Sequence, residues 1–373
     1  MIPKPLKGIT VVEMGTVEAE GIASLLLSDY GARVIRLEMV FPEQKNSQTN
    51  SFRICDRGKE RILFRPDRKE DRNWFEQQIK KTDALITSVP KKLLSQWHMD
   101  SAVLCVKNPG LVYTSITGYG QSGPWGEGHP YNEITIQAES GLMSITGEEH
   151  GEPVRCGGDF AVFAGGLNAC IATLMALIDR NRSGRGRVCD VSMMDSIIYG
   201  LENQFSLYLK SGVVPVPMGN HYALSAPVGD YCCRDGKKLM ISVATEPQWN
   251  NFAEAVGHRE WLEDEDYRNV QSRLKHYKKL EKDVAAAFME YTSEELVRRL
   301  QSKNCIYGTV NDFKDVARHP QTEARHMLIS VRVPDGDQWT VPSNPLVMDG
   351  EKPAGHVILD TKMCQNNDTD NSK

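Results

Sequence analysis

GITVVEMGTVEAEGIASLLLSDYGARVIRLE, residues 8–38, decides the fold. Ile9 to Glu13 is apolar and β-rich, Ile22 to Leu27 reads as helix, and Gly31 ends that helix before a second apolar run, Val34-Ile35-Arg36-Leu37. Strand, helix and strand in so short a span make one βαβ unit of a parallel sheet.

The same alternation continues outward. Strands are expected at Ala84 to Ser88, Val103 to Val106 and Leu111 to Ile116, separated by short helical stretches. Helices are expected from about Phe163 to Asn181 and, after the turn Ser183-Gly184-Arg185-Gly186, from about Met193 to Lys210. Near residue 218 the character changes. Met218-Gly219-Asn220-His221 precedes a hairpin built on Arg234-Asp235-Gly236 with Met240-Ile241-Ser242-Val243 as its return strand, then polar helices near 247–257 and 278–303 and strands near Leu328 to Val333. The expectation is an α/β chain of two domains. Residues 1–217, rejoined by about 330–360, form the larger parallel-sheet domain, and 218–329 form a smaller α+β domain. The polar end, 365–373, is expected to be disordered.

Bulk properties narrow the function. The chain has 373 residues, 40% hydrophobic and 25% charged, which is enough to bury ordinary cores. A net charge of −5 with scattered Lys and Arg gives no basic footprint for nucleic acid, so no nucleic-acid partner is expected. No secretory leader pattern and no apolar stretch near the roughly 20 residues that cross a bilayer are read, so a cytoplasmic protein without membrane attachment is expected. Nine cysteines, an odd count with no CxxC pair, argue against a closed disulfide framework, no metal ligands are assigned, and Cys170, in an apolar helical pattern, is expected in the core.

Four stretches, in order, carry a resemblance to a known family. They are Leu6 to Glu13 with Asp29 to Glu38; Asn108-Pro109-Gly110-Leu111-Val112-Tyr113 running into Thr117 to Pro124; Ser140-Gly141-Leu142 with Ala176-Leu177 and Gly184 to Ser192; and Asp235-Gly236 through Gln248-Trp249 to His319-Pro320-Gln321. Together they resemble the family III CoA-transferases of the CaiB/BaiF type, a group that includes formyl-CoA transferase and the α-methylacyl-CoA racemases. The resemblance implies a Rossmann-type large domain, a small domain, and an interlocked ring-like dimer. It also implies acyl-CoA and a carboxylic acid as substrates, with no tightly bound cofactor.

In that family an Asp carboxylate attacks the acyl-CoA thioester, and a carboxylate suits this because it is ionised at pH 7 and needs no separate base. Aligned forward from Pro153 or backward from Ala176-Leu177, the nucleophile position falls on Val162. Asp159, three residues upstream, shares the face of 162 if the helix starts one turn early, and is the candidate catalytic carboxylate. It is equally well placed as a helix N-cap. The resemblance places Val17, Glu18 and Ala19 and the loop Gly118, Tyr119 and Gly120 along the CoA channel. Arg57 and Lys59 are candidates for the CoA phosphates. Gly219, Asn220 and His221 are assigned to the acyl group, with backbone N–H groups suited to an oxyanion.

Three functions follow. The first is a self-sufficient CoA-transferase working through an aspartyl intermediate. The second is a non-catalytic subunit that pairs with an Asp-bearing relative, as Val162 suggests, so the chain is expected as a homodimer or as a heterodimer with a related transferase subunit. The third is a 2-methylacyl-CoA racemase, echoed by Gly128-His129-Pro130-Tyr131-Asn132 and by Glu246-Pro247-Gln248, although the racemase His position falls on Asn132.

Overall fold

A computed structural model describes residues 4–15, 17–40, 54–126, 128–353 and 357–364. The expected tail, 365–373, lies outside them. Contacts within the chain divide it into two compact units, 1–142 with 155–213 and 320–373, and 143–154 with 214–319. The segment 143–154 belongs to the smaller unit, and the chain returns to the larger one at residue 320.

In chain order the larger unit starts with β1 (Thr10–Met14), α1 (Glu18–Asp29), β2 (Arg33–Met39), β3 (Glu60–Phe64), α2 (Lys69–Ile79) and β4 (Ala84–Thr87). It continues with α3 (Lys91–Gln96), α4 (Ser101–Lys107), β5 (Val112–Thr117), α5 (Glu133–Glu139), α6 (Phe160–Ser183), β6 (Val188–Ser192), α7 (Met193–Gly200) and α8 (Glu202–Ser211). The smaller unit holds β7 (Val228–Cys232), β8 (Lys238–Ser242), α9 (Glu246–Val256), α10 (Val270–Lys275), α11 (Tyr277–Met289), α12 (Ser293–Ser302), β9 (Tyr307–Thr309) and α13 (Phe313–Ala317). α14 (Pro320–Ala324), β10 (Leu328–Arg332), β11 (Gln338–Pro342) and β12 (Thr361–Met363) complete the larger unit.

Seven strands pair in the order β12-β3-β2-β1-β4-β5-β6, every neighbour parallel. Leaving aside β12, this is the 3-2-1-4-5-6 order of doubly wound folds, with its direction switch between β1 and β4. Sheets of this kind collect ligands outside the carboxyl ends of the strands at that switch. The sheet is covered on one side by α1 and α6, where Gly166 lets α6 approach α1: a Cβ there would sit 2.8 Å from the Ala19 carbonyl oxygen. The other side packs Phe64, Phe75, Ile79 and Leu94 against β1, β2 and β5.

Two expectations change. Val103 to Val106 lies in helix α4, because the Asp100 carboxylate accepts from the N–H groups of Ala102 and Val103 and leaves Val106 in solvent, where an apolar run alone suggested a strand. The hairpin β10–β11, assigned in part to the smaller domain, packs Val331, Val333 and Val341 with Ile358 in the larger unit, and the Asn344 amide donates to Asp29. α6 is also longer and more apolar than the sequence suggested. By length and composition it could span a membrane, and half of its apolar window is buried inside the chain.

In the smaller unit an antiparallel sheet, β7-β8-β9, packs on α9, α11 and α12 around Trp249, Phe252, Phe288 and Leu300. Arg273, fully buried there, donates to the carbonyls of Ala226 and Tyr267 and to Glu246, with its guanidinium 4.8 Å from the Trp249 ring.

Cys170 lies in the core at 6% exposure, and burial pushes its thiol up to about 11. At pH 8 it therefore carries almost no thiolate. In the native protein, iodoacetamide should modify the exposed Cys232 and leave Cys170 unlabelled until denaturant is added, as peptide mapping would read; prompt labelling of Cys170 would place α6 wrongly.

Candidate functional site

A cavity of about 710 Å³ opens at the carboxyl ends of β1, β4 and β5, beside the switch. Val17 enters from the turn after β1, Ser88 from the end of β4, and Gly118, Tyr119 and Gly120 from the end of β5. The Val17 N–H donates to Ser88 Oγ at 3.3 Å, tying the first two turns together. The third is a tight turn: Gly120, at φ +86°, donates its N–H to Thr117 Oγ1 at 2.8 Å, and the next N–H, of Gln121, is held by Asp190 at 2.8 Å. The two loops expected to flank CoA thus line one cavity. Glu18 is exposed at the start of α1 and Ala19 is buried beneath it.

The far wall is aromatic. Trp125 stacks on His129 at 4.6 Å and 9°, and Tyr119 meets Trp125 and Tyr131 edge-on. Tyr131 presses on Gly118, where a Cβ would come within 2.4 Å of its Cγ. Burial, aided by the Glu20 carboxylate, pushes the Tyr131 hydroxyl up to about 12, so it stays protonated at neutral pH. Lys91, Lys92 and Ser95, on α3, also line the cavity and add two cationic residues to it.

The start of α6 holds two carboxylates. Asp159 precedes Phe160 as the N-cap residue, and its carbonyl accepts from the Phe163 N–H, but its side chain is exposed and makes no cap hydrogen bond. Val162 is 8% exposed in the first turn. The capping is done from α5. Glu133 Oε1 accepts from the Ala161 N–H at 3.0 Å and Oε2 from the Val162 N–H at 2.7 Å, while the buried Gln137 amide donates to Oε1 at 2.7 Å. Gln137 is fixed in turn, donating to the Gly158 carbonyl and accepting from the Cys156 N–H.

Gly219, Asn220 and His221 belong to the smaller unit. Gly219, at φ +58°, and Asn220 line a shallow pocket with Glu148 and Glu152, and Asn220 donates to Asp230. His221 packs edge-on against Tyr277, with Nδ1 3.2 Å from both the Val228 carbonyl and Glu281. Among the described residues, no three His, Cys, Asp or Glu side chains are grouped so as to hold a metal ion.

The family model of CoA-transferase family III matches residues 6–356. The chain belongs to this family. It is 28% identical to the succinate–glutarate CoA-transferase of Agrobacterium fabrum over 92% of this chain and 89% of that one. It is 26% identical to the succinyl-CoA–L-malate CoA-transferase beta subunit of Chloroflexus aurantiacus, over 96% and 91%. A crystal structure of a CaiB/BaiF family protein from Brucella suis superposes with a TM-score of 0.81 at 28% identity, covering 95% of this chain and 96% of the other. CoA transfer is the activity named for both of these relatives.

Within this family III chain, two sequence assignments are corrected by burial. Arg57 and Lys59 do not face solvent for a phosphate. Arg57 is 4% exposed and pairs with Asp29 at 3.0 Å, and Lys59 is fully buried, donating to Glu13 at 2.6 Å, Ser24 at 2.7 Å and the Gly21 carbonyl at 3.0 Å. A buried charge without a partner is costly, so such groups are held where their partners are. The racemase echo also finds other uses: Asn132 caps α5 through Thr135, His129 stacks on Trp125, and Glu246 binds Arg273. Sequence reasoning missed Lys91, Lys92, Trp125 and Glu133. The adjacent lysines after Pro90 were the one available signal, since nothing local marks Glu133 as the partner of a helix 28 residues away.

Proposed function

We propose that this chain moves CoA from an acyl-CoA donor to a carboxylic acid, with CoA lying in the cavity at the ends of β1, β4 and β5. The observation that carries the reading is the convergence of Val17 and Gly118 to Gly120 on one cavity that also presents Lys91 and Lys92. Glycine at 118 and 120 permits close backbone approach to the pantetheine arm. The aromatic wall offers a π face to adenine and the lysines offer cations to phosphate. Transfer would proceed through an acyl anhydride on an enzyme carboxylate at the start of α6. Asp159, whose side chain is not spent on capping, is the candidate the sequence nominates for an aspartyl intermediate. Gly219, Asn220 and His221 are proposed for the acyl end.

The apolar side chains that α6 and α8 leave exposed, among them Phe163, Ile171, Met175 and Leu209, favour a dimer, either of this chain or with a related subunit. Val162 favours the second reading, a subunit that needs an Asp-bearing partner, and one of the relatives is named a beta subunit.

Calorimetry with CoA and succinyl-CoA, and exchange of labelled succinate into succinyl-CoA, separate these readings. Binding with exchange by the chain alone is expected. Binding with exchange only after an Asp-bearing relative is added would establish the subunit reading, and no binding at millimolar ligand by folded protein would sink both.

A further inference from the structure

We propose that Glu20 is a positioning residue for CoA, a buried carboxylate beneath the cavity that sets the hydrogen-bonding sense of Ser88 and Tyr131 on its wall. The inference rests on the reading above that CoA lies in this cavity, and it adds a residue that does not itself line it. Glu20 is the third residue of α1 and is fully buried. A carboxylate is costly to bury unless its surroundings hold its charge, and the first turn of a helix is a place where an anion is favoured. Glu18, on the same turn, is exposed, so only Glu20 is taken into the interior.

Three observations tie that carboxylate to the cavity wall. The first is Gly15, just after β1. A Cβ there would stand 2.5 Å from the carboxyl carbon of Glu20, 2.7 Å from its Oε1 and 2.3 Å from Ser88 Oγ. The carboxylate and the serine hydroxyl therefore meet over Gly15, and that space, not a left-handed backbone, is what asks for glycine. The second is Ser88, which lines the cavity and whose Oγ accepts from the Val17 N–H at 3.3 Å. The carboxylate beside it is an acceptor that draws the hydroxyl proton inward, so the oxygen turns a lone pair to the cavity. The third is Tyr131. The Glu20 charge adds to burial in pushing its hydroxyl up to about 12, so this lining group remains a donor at neutral pH.

One carboxylate thus acts on groups from three strand ends: the turn after β1, the end of β4 and the loop after β5. An acceptor at Ser88 and a donor at Tyr131 match the N–H and the carbonyl of a secondary amide, the group that recurs along the pantetheine arm. The charge on Glu20 fixes both senses. Glutamine at 20 would fill the same space but offer Ser88 an N–H as well as an oxygen, which lets the serine proton turn toward the ligand and sets two donors against its N–H.

The test is CoA affinity in Glu20→Gln, Ser88→Ala and the double variant, read by calorimetry beside the parent. Glu20→Gln is expected to bind CoA about tenfold more weakly, the scale of one charge-assisted hydrogen bond. Because Glu20 acts through Ser88, the losses of the two single variants should not add in the double variant. The adenosine bisphosphate half of CoA, which lacks pantetheine, should bind Glu20→Gln and the parent alike, a division that a general loosening of the fold does not produce. Should Gln not be tolerated at 20, Glu20→Asp, which keeps the charge but withdraws it, and Ser88→Ala give the same comparison of CoA with its adenosine half. CoA affinity within about twofold of the parent in folded Glu20→Gln would overturn the proposal and leave the transferase reading standing. Equal losses for CoA and its adenosine half would overturn it too, since Glu20 would then support the fold alone. A folded parent that binds no CoA would overturn both.

Discussion

Lys59→Met is expected to cost about 3–5 kcal/mol of stability, the range found when one partner of a buried ion pair is removed. Lys59 and Glu13 are both fully buried, and the ammonium reaches Glu13 at 2.6 Å with Ser24 and the Gly21 carbonyl as its other acceptors. Methionine fills nearly the same volume but removes the ammonium from the buried Glu13 carboxylate, which Arg36 also approaches at 3.8 Å. Adding Glu13→Gln removes the buried charge that lost its ammonium, so the double variant should recover part of the loss although it lacks one more native group. Urea unfolding of the four proteins measures both effects. A loss below about 1 kcal/mol, the range of an exposed pair, would mean that Lys59 faces water and would reopen its assignment to a CoA phosphate.

Gly118→Ala should lower CoA affinity at least about tenfold, equivalent to roughly 1.4 kcal/mol. The added methyl would stand 2.4 Å from Tyr131 Cγ and 2.8 Å from its Cβ and Cδ1, and a side chain cannot meet carbon atoms so closely without displacing them. The Tyr131 ring lines the cavity with Tyr119, so its displacement closes or reshapes the proposed pantetheine channel. Gly200→Ala, with open space around the added methyl at the end of α7, controls for a loss of glycine alone. Combining Gly118→Ala with Tyr131→Ala removes the collision and should restore part of the binding. If Gly118→Ala binds CoA as the parent does, the cavity is not where CoA lies.

The two predictions probe different parts of one design. Lys59 belongs to a buried charge network beneath α1, with Arg36 bound to Asp56 and Arg61 to Glu38 on neighbouring strands. Gly118 belongs to the loop edge above the sheet, where it lines the cavity proposed for CoA. Loops on a rigid parallel sheet combine exposure with fixed position, which is why ligand contacts gather there.

Much of this was legible in residues 8–38 and the motifs that follow. Apolar runs such as Ile9 to Glu13 and Val34 to Leu37, closed by glycine, define a βαβ unit by periodicity and chain reversal, which are local properties. The glycines at 118 and 120 mark a close approach of backbone, and the absence of a carboxylate at 162 is a plain fact of sequence. The order of four motifs was enough to place the chain in its family.

Tertiary structure decided what local pattern does not encode. Val103 to Val106 has the composition of a strand, and the cap from Asp100 turns it into a helix with one buried side. β12 spans three residues, too few to show a period, and it is defined by pairing with β3, 300 residues earlier in the chain. Arg57 and Lys59 are charged residues on a turn and look like surface groups; whether such a side chain meets water or a buried carboxylate depends on Asp29 and Glu13, which only the folded sheet brings near. Glu133 is the clearest case. It reads as an ordinary acid in a short helix, and it acquires its place because packing of α5 on α6 puts its oxygens on the N–H groups of Ala161 and Val162. A carboxylate is recognisable from sequence, but the donors that hold it and the helix turn it occupies are set by distances between elements.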